Sequence, residues 1–344
     1  MMRLPRFRFV SPRSISDAAA ALAEAPHETM LLAGGTDVLP NMKRRQQVPR
    51  TLVSLRNIEA MKAITPDGAC LTIGASATLT AITRNEVIKA DYAGLWQAAA
   101  QIATPHLRNM GTIGGNLCLD TRCTYYDQTY EWRKAINFCM KKSGETCWVA
   151  PSSPRCLAVS STDTAPMLQA LRAQILLVSS KGQRVIDVAD LFQNDGIHYL
   201  TRRTDEILTE IRVPDQTGWR SAYWKLRRRG SFDFPVASAA VALCLDGGRV
   251  VDARIVLGAV ASRPMPSPAA ETLLRGNPLS DEAISAAAAA AYDVAKPMDN
   301  TDFELVWRKK VVRTLVASAL REVRGDDMRS QRLGLARRET LGIL

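Results

Sequence analysis

Apolar positions recur along the chain in short bursts whose spacing changes from one burst to the next. Ala and Leu fall at helical spacing over Asp17–Ala25 behind Ser16, a good N-cap residue. Thr29–Ala33 is a short apolar run that Gly34-Gly35-Thr36-Asp37 breaks. Helix, strand and glycine turn predict a small α/β unit. A hairpin follows, with Met61–Ile64 and Ala69–Ile73 flanking Thr65-Pro66-Asp67-Gly68, whose Pro, Asp and Gly favour turns. Thr78–Glu86 and Tyr92–Ala103 read as helices, the second ended by Thr104-Pro105.

From Leu119 to Arg155 periodicity is weak, and the segment carries Tyr125, Tyr126, Tyr130, Trp132, Lys134, Lys141 and Lys142. So long an irregular stretch inside a compact protein needs something to organise it. Regular patterning resumes with a helix at Thr164–Leu171 and a hairpin of Gln174–Ser179 and Arg184–Val188 around Lys181-Gly182. A strand follows at Ile207–Val213, closed by Pro214. Beyond Gln216-Thr217-Gly218 come the strands Trp219–Leu226, Ala237–Leu245 and Val250–Val260, the last two joined by Asp246-Gly247-Gly248. The helices Pro268–Leu274, Ser280–Val294 and Asp302–Val323 complete the pattern, and a basic tail begins at Arg324. The whole is an α+β protein. Its expected units are residues 1–57, residues 58–216 with an insertion at about 119–156, residues 217–325, and the tail 326–344.

Composition changes the picture in three ways. At 344 residues and 47% hydrophobic content the chain can bury more than one core, yet no stretch reaches the roughly 18 apolar residues that a membrane helix needs. Arg3–Arg8 runs into Ser11-Pro12 and not into an apolar signal core, so a cytoplasmic protein is expected. The net charge of +11 comes mainly from Arg, 34 against 11 Lys, but the Arg are spread along the chain without an aromatic-interleaved stripe, so nucleic-acid binding is not expected. The three His (His27, His106, His198) neighbour no Ser or Cys nucleophile motif and form no H-E-x-x-H, which leaves hydrolase chemistry unsupported and no catalytic residue expected.

Two glycine loops carry the first candidate chemistry. In Leu31-Leu32-Ala33-Gly34-Gly35-Thr36-Asp37-Val38, two glycines after a strand let backbone N–H groups approach a phosphate. Gly111-Thr112-Ile113-Gly114-Gly115-Asn116 repeats the arrangement and adds Thr and Asn hydrogen-bonding side chains. The first loop is neither a G-x-G-x-x-G fingerprint nor a P-loop. Two such loops about eighty residues apart suit a long, jointed ligand held between subdomains.

Cysteine carries the second. Of seven Cys, five lie between Cys118 and Cys156, a density that in a reducing compartment favours a metal or redox site over disulfides. Cys123, Cys139, Cys147 and Cys156 are separated by 15, 7 and 8 residues, which leaves a 4Fe–4S cluster, a zinc ion and free thiols all open. Cys118, Cys70 and Cys244 read as small packing residues.

Leu-Leu-Ala-Gly-Gly-Thr-Asp at 31–37 and Thr-Ile-Gly-Gly-Asn at 112–116 resemble the paired flavin motifs of the medium subunits of the xanthine dehydrogenase and carbon monoxide dehydrogenase family of molybdenum hydroxylases. The order of elements is similar over about residues 3–325. The resemblance implies a two-subdomain FAD-binding fold of the PCMH type followed by a domain of antiparallel sheet and helices. It places FAD on Leu31–Val38 and Thr112–Asn116, with Ile102, Asp163, Leu208 and Lys225 completing the pocket. Read from their surroundings alone, Asp163 is a helix N-cap, Leu208 is core and Lys225 is a solvated strand residue. The insertion resembles that of the 4-hydroxybenzoyl-CoA reductase branch, which implies a 4Fe–4S cluster on the four Cys, with Tyr125, Tyr126, Tyr130 and Trp132 as candidates to shield it. The partners so implied are a large molybdenum-cofactor subunit, a small 2Fe–2S subunit and a ferredoxin donor, in a dimer of heterotrimers. The implied reaction is reductive removal of a phenolic hydroxyl. A related hydroxylase passing electrons outward from substrate is the alternative.

Overall fold

A computed structural model of the chain describes residues 3–337. Its first unit is a parallel sheet in the spatial order Arg8–Val10, Thr51–Ser54, Thr29–Leu32. The helix Ile15–Glu24 buries Ala18, Ala19 and Leu22 and begins two residues earlier than its sequence suggests. Ser14, not Ser16, is extended and accepts the Asp17 N–H at 3.0 Å. The glycine turn leaves the C-terminal end of Thr29–Leu32.

The second unit is a five-stranded antiparallel sheet in the order Ile64–Pro66, Cys70–Gly74, Ile207–Pro214, Gln174–Ser179, Gly182–Asp187. Both expected hairpins form. In the first, Thr65 and Pro66 extend the strand and leave the turn to Asp67, whose carboxylate accepts the Ala69 and Cys70 N–H groups. The expected helix Thr78–Glu86 is two helices, Leu79–Arg84 and Glu86–Asp91. Asn85 leaves the helical region at φ −81°, ψ 118° and caps the second by accepting the Ile88 N–H at 3.0 Å. The helix Ala93–Ala100 and the helix Thr164–Ala170 pack close by.

The third unit is a four-stranded antiparallel sheet, Met265–Pro266, Arg249–Gly258, Ala237–Asp246, Trp219–Leu226, backed by the helices Pro268–Leu274, Asp281–Val294 and Leu305–Arg324. Alternation along these strands feeds two different cores. Tyr223, Ala240, Ala242 and Val256 join the core of the first two units, whereas Ala222, Trp224, Val241 and Ile255 join the core of the C-terminal helices. Both faces of this sheet are therefore covered. The last long helix stops at Gly325, φ +116°, and the basic segment beyond it is not simply a tail, because Arg329–Arg337 is helical; residues 338–344 of the expected tail lie outside the described residues. No helix among the described residues is long and apolar enough to cross a membrane.

Candidate functional site

A cleft of about 510 Å³ opens where the first sheet meets the second, and the two glycine loops form its floor. The glycines of these loops do different work. A Cβ on Gly34 would sit 1.9 Å from the Met110 carbonyl oxygen, and one on Gly114 would sit 2.7 Å from the Ala75 Cβ and oxygen. These two residues are glycine so that loop can press on loop. Gly35 adopts φ +72°, a left-handed conformation that L side chains rarely take. At Gly115 an added Cβ would meet Thr112 Oγ1 at 3.0 Å and the Ala33 Cβ at 3.9 Å, side chains and not backbone. Thr112 caps the short helix Ile113–Leu117, its hydroxyl accepting the Gly115 N–H at 3.1 Å. Asn116 is held through its Oδ1, which accepts from the Thr162 hydroxyl and from the N–H and hydroxyl of Thr164.

The structure brings most of the expected dinucleotide residues to this cleft. Leu31, Ala33–Val38, Ile102, Thr112, Gly114–Asn116, Asp163 and Leu208 line it; Leu32, Ile113 and Lys225 do not. Leu32 alternates to the other side of its strand from Leu31 and packs beside Gly35, while Ile113 turns into the core. Lys225 lies one layer back and is 4% exposed. Its ammonium donates to Asp163 Oδ2 at 3.0 Å and to the Gln101 carbonyl at 3.1 Å. The expectation of a solvated lysine fails because Lys225 shares the inward face with Tyr223, whose hydroxyl donates to Asp163 Oδ1 at 2.7 Å. Asp163 is not a side-chain cap: it accepts no capping bond, and its carboxylate is spent on Tyr223 and Lys225. Burial pushes Asp163 above and Lys225 below their ordinary ranges, each opposed by the other's charge.

Several lining residues have no signal in the sequence. Arg122, Tyr199, Arg202, Phe232, Asp233 and Phe234 all reach the cleft, the last three from the loop between the strands Trp219–Leu226 and Ala237–Asp246. Phe232 takes φ +72° while its N–H donates to the Ala103 carbonyl, so this loop closes over one wall. Cys118 also lines the cleft, and burial raises its thiol above the usual range. His106 is exposed and does not line it.

Four cysteines come together beside the cleft. Cys123, Cys139, Cys147 and Cys156 are each 4–6% exposed, and three of them pack with Tyr126 and Ala158 in one small nest. Burial above all, with the neighbouring thiolates, pushes Cys123 up to about 12 against a backbone hydrogen bond; burial likewise pushes Cys156 up to about 11, against a backbone hydrogen bond and the Lys141 charge. A Cβ on Gly196 would sit 2.6 Å from Cys156 Sγ, and one on Gly144 would sit 2.9 Å from the Cys139 N. Around Cys139 the chain is bent hard: Asn137, Phe138 and Ser143 have φ of 58°, 58° and 70°. Left-handed residues of this kind cost about 1–3 kcal/mol each and persist where the surroundings over-determine them. The segment is irregular as expected, with one short helix, Tyr130–Ala135. Tyr126 is buried in the nest and Tyr125 packs against it, whereas Tyr130 and Trp132 are exposed, their rings against Phe138 and Tyr125 respectively.

Among the described residues no three His, Cys, Asp or Glu side chains stand close enough to hold one metal ion. Lys141 ties the nest to its surroundings, donating to Asp120 at 2.8 Å, to the Thr121 hydroxyl at 2.7 Å and to the Gly196 carbonyl at 2.6 Å. Its ammonium lies over the rings of Tyr126 and Tyr199.

Residues 5–216 match the family described as the FAD binding domain in molybdopterin dehydrogenase, and residues 221–323 match the CO dehydrogenase flavoprotein C-terminal domain. The chain is 30% identical over 315 residues to the carbon monoxide dehydrogenase medium chain of Afipia carboxidovorans, covering 91% of this chain and 95% of that one. It is 29% identical over 328 residues to the aldehyde oxidoreductase FAD-binding subunit of Escherichia coli, covering 90% and 98%. Its structure is similar to that of the reconstituted CO dehydrogenase from Oligotropha carboxidovorans, with a TM-score of 0.78, 28% identity, and coverage of 94% and 99%.

Proposed function

The chain belongs to the FAD-binding medium subunits of the xanthine dehydrogenase and carbon monoxide dehydrogenase family of molybdenum hydroxylases, and from that premise we propose that it carries two redox centres, FAD in the cleft and a 4Fe–4S cluster on Cys123, Cys139, Cys147 and Cys156. The fold is the α+β, PCMH-type FAD-binding arrangement with a C-terminal antiparallel sheet and helices. Residues 1–57 and 58–216 are the two flavin subdomains in this reading, and residues 217–325 the C-terminal domain. The observation that carries it is the convergence of both glycine loops, Ile102, Asp163 and Leu208 on a single cleft adjoining four buried thiols.

Flavin supplies a junction that exchanges electrons singly or in pairs. The chain's own part is to bind and insulate. Backbone N–H groups at Gly35 and Thr36 would meet a pyrophosphate, Ile102 and Leu208 give apolar walls, and Lys225 neutralises Asp163 behind them. Thiolates are the ligand form of cysteine, so loading the nest releases the protons that burial holds on Cys123 and Cys156.

In the assembled enzyme this chain would sit between a small 2Fe–2S subunit serving a large molybdenum subunit and an external carrier, in a dimer of heterotrimers. Electron flow outward from substrate to an acceptor is the direction that the similarity to carbon monoxide dehydrogenase supports. Flow inward from a ferredoxin, as in 4-hydroxybenzoyl-CoA reductase, rests on the cysteine insertion alone. Reductive titration of the purified complex separates the two: outward flow requires bleaching of the flavin by substrate. For the centres themselves the test is a flavin, iron and acid-labile sulfide assay on anaerobically purified chain, wild type and Cys139→Ser. We expect the variant to lose iron and sulfide while keeping FAD. Full iron in the variant, or zinc in the wild type, sinks the cluster assignment, and a colourless wild-type chain sinks both.

A further inference from the structure

We propose that Arg122 energetically couples the dinucleotide cleft to the four-cysteine nest, so that loading either site tightens binding at the other. The inference rests on the reading of both sites given above and names the residue that joins them. Arg122 directly precedes Cys123, and its backbone is pinned from the far side of the nest. Its N–H donates to the Val159 carbonyl at 2.8 Å and its carbonyl accepts the Val159 N–H at 2.7 Å, three residues after Cys156. The side chain leaves the nest and lines the cleft. There one guanidinium nitrogen pairs with Asp37, the last polar residue of the first glycine loop, and the other lies 3.4 Å from Asn41 Oδ1 and 3.7 Å from Asp127. The Phe234 ring lies 4.6 Å away on the same wall. Asp127 belongs to the nest, because its N–H donates to the Cys123 carbonyl at 2.8 Å. Arg122 thus spans one carboxylate from each site, is 6% exposed, and keeps a buried Nε with no partner.

The electrostatics give this span a sign. A carboxylate at the end of a loop meant for a pyrophosphate repels it, and Asn41, whose amide donates to Asp37 at 3.0 Å, carries no charge to offset that. The guanidinium of Arg122 neutralises Asp37 only while the Cys123 segment holds it in place. An emptied nest releases that segment, leaves Asp37 facing the cleft with its charge uncompensated, and weakens binding of the anionic dinucleotide. Linkage makes the effect reciprocal, with couplings between sites commonly about 5-fold to 150-fold.

The test is the affinity of deflavinated full-length chain for FAD, read by quenching of flavin fluorescence, with the cysteine site loaded and after anaerobic stripping by oxidant and chelator. In the wild type we expect the Kd to rise about tenfold on stripping. In Arg122→Met it is weak and equal in both states. A wild type without cluster dependence, or an Arg122→Met chain that retains it, overturns the inference. If Arg122→Met does not fold, Asp37→Asn reads the same link: removing the carboxylate must abolish the cluster dependence, and a dependence that survives there overturns it equally. A chain that takes up no iron or no FAD overturns the underlying reading together with this one, which distinguishes the two failures.

Discussion

A charge inside a protein is tolerable only when a partner of opposite sign is held against it, and the Asp163–Lys225 pair illustrates the consequences for single residues. Asp163→Asn leaves the buried Lys225 ammonium without a counter-charge, so we expect a loss of about 3–5 kcal/mol in equilibrium urea unfolding together with reduced FAD content. Tyr223→Phe removes one of two partners of Asp163 and should cost about 1 kcal/mol, since Lys225 still answers the charge. Equal losses in the two variants would contradict this division. The glycines separate in the same way. Gly34→Ala drives a methyl into the Met110 carbonyl and should destabilise the chain by about 1–3 kcal/mol. Gly115→Ala meets no backbone, only the capping Thr112 hydroxyl at 3.0 Å and the Ala33 methyl at 3.9 Å, so it should move the unfolding midpoint less than Gly34→Ala while lowering FAD affinity. Reading both glycine pairs as ligand cradles captured where they lie. It could not distinguish close approach to a ligand from close approach to another loop, because Met110 and Ala75 become neighbours only in the fold.

The five-stranded sheet is fastened by an ion pair at its edge that should be visible in its pH response. Glu206, just before the strand Ile207–Pro214, receives Arg184 from the strand Gly182–Asp187 through two bonds of 2.7 and 2.9 Å, and accepts the Arg203 N–H at 2.7 Å. Burial alone would raise its pKa, but the Arg184 and Arg203 hydrogen bonds outweigh that and hold it below the ordinary glutamate value. Its contribution is therefore complete above the unfolded pKa of about 4.3 and is lost as pH falls through the lower folded value. Glu206→Gln should flatten the acid limb of stability below about pH 4, and an unchanged acid limb would show that the pair contributes nothing. The two hairpins, the strand Ile207–Pro214 and the helix Pro268–Leu274 are legible in the chain because turn residues or proline mark their ends. Arg8–Val10 and Thr51–Ser54 are not. They are three- and four-residue strands in parallel pairing with partners tens of residues away, and no local turn announces them. The break at Asn85 was equally hidden, since its side-chain cap competes with helix continuation only once Ile88 is in place.

At the scale of the molecule, the sheet Trp219–Leu226, Ala237–Asp246, Arg249–Gly258 belongs to two cores at once, which binds the C-terminal unit to the flavin unit more tightly than a linker at Gln216-Thr217-Gly218 suggests. Tyr223, Ala240, Ala242 and Val256 fill the core of the first two units, and Trp219 stacks against the Arg254 guanidinium at 3.7 Å. Polar links cross the same boundary. Gln97 pairs with Glu322 of the long terminal helix and accepts the Tyr223 N–H, and the Asp163 at the cleft depends on Tyr223 and Lys225 for both of its partners. A chain ending at Gln216 would expose that apolar face and leave Asp163 buried against nothing. We therefore expect the 1–216 piece to bind the apolar dye ANS and to take up FAD at least about tenfold more weakly than the full chain, because a loss of 1.4 kcal/mol in preorganisation already amounts to that factor. FAD affinity equal to that of the full chain would mean that the cleft is complete without the third unit and that the shared sheet serves stability alone. The boundary between family matches at residues 216 and 221 marks where the chain changes pattern, but the energetics of the cleft run across it, through side chains that alternate toward the flavin unit on a strand whose other face belongs elsewhere.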